Sequence, residues 1–164
     1  MKNLILFFYA LSIFSNCRSS EKQWDKIDFS FDNSWDVSIS IKLDNQGMAL
    51  IGIGRYTKDY YQIMIQDSLR KTISNKVINI LKDSSLKNSY IESGEDHSHY
   101  NLIINLNESQ KRIFKVIGHI EPTILSSLKE DLINIKENKN IVKLDSIVKF
   151  ESIEGFYPPK PVKK

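Results

Sequence analysis

The chain has 164 residues, 41% hydrophobic and 26% charged, with only six Gly and four Pro. These proportions fit one globular domain and exclude a collagen-like, disordered or multi-span membrane chain. The formal charge is +3, but Lys2, Lys160, Lys163 and Lys164 sit at the two ends; without them 19 basic residues face 20 acidic ones, a balance of −1. A neutral body has no basic stripe to track phosphates, so no nucleic-acid partner is expected.

Lys2 gives the N-terminus a positive start, and Leu4 to Phe14 is apolar apart from Ser12. Such a run is short for a bilayer span, which takes about 20 residues, and matches the core of a secretory signal. Ordinary signal cleavage prefers small residues in an A-x-A-like pattern, whereas a cut before Cys17 places Phe14 and Asn16 there. The stretch FSNC, Phe14 to Cys17, resembles instead the lipobox of bacterial lipoproteins, in which an apolar residue, two small ones and a cysteine close the leader. Phe14 and Asn16 depart from its strictest form and are similar to the relaxed S-N-C endings of Bacteroidota lipoproteins. The resemblance implies that Cys17 is alkylated on sulfur by diacylglycerol, becomes the first residue after cleavage, and is N-acylated. Cys17 is the only cysteine in the chain. A thiolate is a strong nucleophile for taking a lipid, and as a thioether it leaves no thiol for catalysis or disulfide exchange. One acyl chain anchors marginally, whereas two or three hold firmly. The expected organisation is a signal peptide over 1–16, a lipidated cysteine and polar tether over 17–23, one domain over 24–154, and an extended Pro/Lys-rich tail over 155–164. The expected address is the bacterial cell envelope, on the outer membrane facing the periplasm.

From Lys26 the pattern has period two, the mark of half-buried strands. Ile27, Phe29 and Phe31 alternate with Asp28 and Ser30; Trp35, Val37, Ile39, Ile41 and Leu43 alternate with Asp36, Ser38, Ser40 and Lys42. DNQG, Asp44 to Gly47, is a turn whose Gly can take positive φ. MALIGIGRY returns as the second half of a hairpin, and Gly52 and Gly54 suggest a bulge or a close approach there. YYQIMIQ is a fourth strand. Leu69, Ile73, Val77, Ile80 and Leu81 then recur at helical spacing, with Asp67 or Ser68 as cap. Lys82 to Ser98 is polar and irregular, the expected long exposed loop, pinned by Leu86, Tyr90 and Ile91. YNLIINL and RIFKVIGH form a second hairpin across Asn107 to Gln110. Pro122 opens a second helix, where its missing N–H costs nothing, with Leu125, Leu128, Leu132 and Ile135 as its stripe. Residues 141–151 fit a strand or a short helix equally. The expected class is α+β: an antiparallel sheet of about six strands in the order β-β-β-β-α-β-β-α, with both helices on one face. VIGHIEPTILSSLKEDLINI, preceded by the WDVSISIKLDNQG hairpin, resembles small uncharacterised Bacteroidota lipoproteins, which share a similar strand-G-x-x-x-P-x-x-L-x-x-L-helix join. The resemblance implies fold and address, and no activity.

The most chemical run is GEDHSHYN, where His97 and His99 form an H-x-H pair with Glu95 on the same side of an extended backbone, a spacing compatible with a metal. Against this, Tyr100, Leu102, Ile104 and Leu106 set the buried phase of the next strand, so His97, His99 and Asn101 belong to its outer face. No metal or other cofactor is expected. His119, beside Gly118, reads as a junction residue making a local hydrogen bond. The chain has no G-x-S-x-G, and the G-I-G at Gly52 to Gly54 lies in a strand with no following helix, so neither acyl transfer nor nucleotide binding is indicated. Trp24, Trp35, Tyr56, Tyr60 and Tyr61 near the first sheet read as core and edge packing, and the P-x-x-P at Pro158 to Pro161 as a terminal tail. The expected function is non-enzymatic binding in the envelope, with an envelope protein, peptidoglycan or a toxin as partner; the last would make this an immunity protein. A metal-dependent role for Glu95, His97 and His99 is the alternative of a different class.

Overall fold

A computed structural model describes residues 24–33, 38–55, 59–93 and 98–154. The alternation in the first third of the chain builds a four-strand meander: β1 (Lys26–Asp32), β2 (Ser38–Asp44), β3 (Met48–Ile53) and β4 (Asp59–Met64). Asp44 shapes the β2–β3 turn, its Oδ1 accepting the amides of Gln46 at 3.0 Å and Met48 at 2.8 Å. Gly47 completes it at φ +99°, a conformation that L side chains resist. Of the bulge or close approach expected at Gly52 and Gly54, the bulge is absent from β3: Gly52 pairs in unbroken register with Ser40 and Tyr60, and Gly54, at φ +109°, lies just past the strand end.

Helix α1 (Asp67–Lys82) follows, then β5 (Ser89–Ile91), β6 (His99–Asn105), β7 (Lys111–Ile117), helix α2 (Thr123–Asn134) and β8 (Val142–Leu144). The sheet therefore has eight strands, not about six, in the order β5-β7-β6-β1-β2-β3-β4-β8. Every pairing is antiparallel except β5 with β7. The two further strands are the outer ones, each three residues long, and β8 lies within the 141–151 stretch that the sequence leaves open between strand and helix. Three residues hold too little alternation to register as a period, and main-chain pairing, not side-chain pattern, makes them strands.

One apolar cluster joins Ile27, Phe29, Ile39, Ile41, Leu43, Leu102 and Ile104 of the sheet to Ile73, Val77 and Leu81 of α1 and Leu125, Leu128 and Leu132 of α2. Register puts these strand residues on a single sheet face, as in the rows Leu43–Ile27–Ile104 and Ile41–Phe29–Leu102. Both helices cover that face. Val37, expected in the same set, and Trp35 and Tyr56 lie outside the described residues. Trp24 is buried, its Nε1 donating to Ser74 Oγ at 3.1 Å.

The helix ends differ from expectation. Gln66, not Asp67 or Ser68, occupies the N-cap of α1, without a side-chain cap; Asp67 lies in the first turn and pairs with Arg70 at 3.1 Å. At the other end, the Arg112 guanidinium of β7 donates to the carbonyls of Ile80, Asp83 and Leu86. A cation on the last carbonyls of a helix satisfies orphan acceptors and opposes the helix dipole. It also pins the chain after α1, which then pairs as β5 rather than forming the free loop expected over Lys82 to Ser98.

Candidate functional site

The sheet has a second face. Because strand side chains alternate, the residues opposite the core are Asp28, Ser30 and Asp32 on β1, Ser38, Ser40 and Lys42 on β2, and His99, Asn101 and Asn105 on β6. Alternation alone assigns them to solvent. Instead Asp28, Ser30, Asp32, Ser38, Ser40 and Asn105 are all buried. Arg55 is one neighbour that covers them, holding the fully buried Asp32 carboxylate through Nε at 2.9 Å and Nη2 at 2.6 Å.

The rest of the cover is the chain after β8. This strap reaches a 3₁₀ turn at Glu151–Ile153 that rests on β1 and β6. Asp28 receives the start of that turn: its carboxylate accepts the Glu151 amide at 2.9 Å, the Ser152 amide at 3.3 Å and the Ser152 hydroxyl at 2.6 Å. Lys42 lies 3.4 Å from the same carboxylate, donates to the Lys149 carbonyl at 2.6 Å, and sits 5.8 Å over the buried Phe150 ring. Asn101 Nδ2 donates to the Ser152 carbonyl at 2.8 Å, and Lys111 pairs with Glu151.

The proton direction in this group follows from valence. Ser152 has one hydroxyl proton and gives it to Asp28, so its 2.7 Å contact with Ser30 is filled by the Ser30 proton. Ser30 then accepts from Ser40, also at 2.7 Å. The chain Ser40, Ser30, Ser152, Asp28 is a one-way relay ending on a carboxylate, each member polarising the next. Chemically it holds a strap. A serine nucleophile needs a base free to take its proton, and Asp28 already accepts two amides beside a lysine. An open groove of ≈ 380 Å³ lined by Arg55, Tyr60, Val148, Phe150 and Ile153 runs beside the strap.

Two other polar clusters tie elements together. Lys76 of α1 donates to the hydroxyl and carbonyl of Ser127 and to Asp131, at 2.6 to 3.1 Å. These contacts tie α1 to α2. Tyr100 donates its phenol to Glu121, which also accepts from Lys129. Burial, then the Glu121 hydrogen bond and charge, push the Tyr100 pKa well above the ordinary tyrosine value.

Of the residues singled out from sequence, Cys17, Glu95 and His97 lie outside the described residues. His99 lies on the open face of β6, partly buried, with Asp32 and Ile117 as its register partners. Among the described residues no three His, Cys, Asp or Glu side chains gather to hold a metal. His119 follows Gly118 (φ +94°), and its amide donates to Glu92 Oε2 at 2.9 Å. The Asp28–Ser152 group escaped sequence reasoning because its halves lie 124 residues apart. The one available signal was the row of short polar side chains on β1 and β2, with serine opposite serine. In comparisons with known proteins, no family model, curated protein or solved structure matches this chain.

Proposed function

We propose that this chain is a lipid-anchored cell-envelope domain, set on the outer membrane and facing the periplasm, that acts by binding rather than by catalysis. The leader carries the reading: a positive start, a short apolar run, and the single cysteine at its end. The open sheet face adds support, since Asp28, Ser30 and Ser152, the buried groups best suited to chemistry, are engaged in holding the strap. The fold suits the role: helices close one face, and the other offers an exposed surface on either side of a narrow cover.

Expression of the Cys17→Ser variant tests the reading. Wild-type protein should take up labelled fatty acid and partition into detergent, while the variant remains an unlabelled, uncleaved precursor. Normal processing of the variant, with wild-type protein in the aqueous phase, would refute the anchor. A separate assay for zinc, copper and nickel covers the alternative class. Stoichiometric metal that disappears in a His97→Ala/His99→Ala double variant would replace binding with metal chemistry.

A further inference from the structure

On the open face, strand β7 presents Lys111, Ile113, Lys115 and Ile117 in one line, because residues two apart share a side. Beside them Ile91 of β5 pairs with Ile117. Ile91 is 63% exposed and Ile113 41%, and Lys111 and Lys115 are exposed as well. The strap rests on β1 and β6 and meets β7 at Lys111 through Glu151, so β5 and the rest of β7 extend past it as an exposed wing. Two acids bordering the wing are engaged, Glu151 on Lys111 and Glu92 on the His119 amide. Lys115 forms no ion pair with a described residue.

We propose that this wing is a membrane-contact surface that lays its isoleucines and lysines on an anionic lipid headgroup layer. The inference rests on the lipid-anchored reading, which sets the distance involved. The described chain enters the sheet at Lys26, whose register row continues through Asn105 to Lys111. Residues 17–23 span at most about 25 Å when fully extended. Strands lie about 4.8 Å apart, so β7 is only about 10 Å from the point of entry. A tether this short keeps the wing within reach of the bilayer. Isoleucines framed by lysines suit that boundary: branched apolar groups enter the interface while the lysine stems lie along it and the Lys115 ammonium reaches phosphate.

The test uses the full-length lipidated protein with an environment-sensitive dye on an introduced thiol, either Ile113→Cys or, as control, the exposed Asn75→Cys on α1. Each is reconstituted into phosphatidylcholine vesicles with and without phosphatidylglycerol. Dye at position 113 should shift to the blue and be quenched by a lipid-embedded quencher only where phosphatidylglycerol is present. The shift should disappear in about 1 M salt, where screening lengths fall to about 3 Å, and in a Lys115→Glu background. Dye at position 75 should not respond. Vesicle-bound protein with the same signal at both positions would overturn the wing and leave the anchor standing. Protein that floats only with phosphatidylglycerol would overturn the anchor and leave the wing standing. A blue shift at position 113 on concentrating the protein without lipid would assign the wing to a second copy and overturn the proposal.

Discussion

Asp28, the third residue of β1, accepts the hydroxyl of Ser152 at 2.6 Å, joining positions 124 apart in sequence. Both residues are almost fully buried. Removing Asp28 leaves two amides and a hydroxyl without their acceptor and takes from Lys42 its carboxylate neighbour. Breaking such a buried group typically costs about 3–5 kcal/mol. The Asp28→Ala variant should lose stability in that range in urea unfolding and gain protease cleavage between Val148 and Glu154. Ser152→Ala, which removes the donor to Asp28 and the acceptor of Ser30, should lose about 1–3 kcal/mol. An Asp28→Ala variant with an unchanged unfolding midpoint and an uncut strap would show that the contact holds nothing.

Tyr100 supplies a pH test. Its pKa is raised in the fold by burial, by the Glu121 carboxylate it donates to, and by a smaller influence of Tyr90. A raised acid contributes stability that is fully present below the unfolded pKa, about 10 for tyrosine, and is lost as pH climbs beyond it. Stability measured through alkaline pH should therefore fall from about pH 10 upward. Tyr100→Phe should start lower and fall less steeply. Parallel curves for the two proteins would remove Tyr100 as the cause.

Leu128 of α2 is fully buried in the cluster between helices and sheet. Truncation to alanine should cost about 2–5 kcal/mol, the lost transfer energy plus an unfilled cavity. Equilibrium unfolding reads this directly, and a loss well below that range would place α2 elsewhere.

Arg112 and β5 make the chain after α1 a graded segment rather than one loop. The Glu92 amide bonds the Ile117 carbonyl at 2.9 Å, while the Ser85 amide is held only by the exposed local turn of Asp83 at the same distance. Hydrogen exchange should be slow at Glu92 and fast at Ser85. Replacing Arg112 with methionine should accelerate exchange from Asp83 through Ile91, because three carbonyls lose their shared donor. Equal exchange at Glu92 and Ser85 in the wild type would dissolve β5.

Much of this protein is written locally. Ile39, Ile41 and Leu43 announce β2 by alternation, and Ile73, Val77 and Leu81 announce α1 by helical recurrence, because a side chain's face depends only on backbone period. Gly47 and Pro122 mark a turn and a helix start for equally local reasons. The apolar run from Leu4 to Phe14 and the single Cys17 after it are read in the same way, as composition along a short stretch. Other features needed the assembled fold. Three-residue strands at the sheet edges exist because a neighbouring backbone offers hydrogen bonds, which no side-chain pattern records. Asp28 and Ser30 of β1 look solvated by alternation and are buried instead, because the strap returns from more than 100 residues away to cover them. Asp28, Ser30 and Ser152 became a group only through that return. Period assigns a side chain to a face, whereas chain topology decides what covers it.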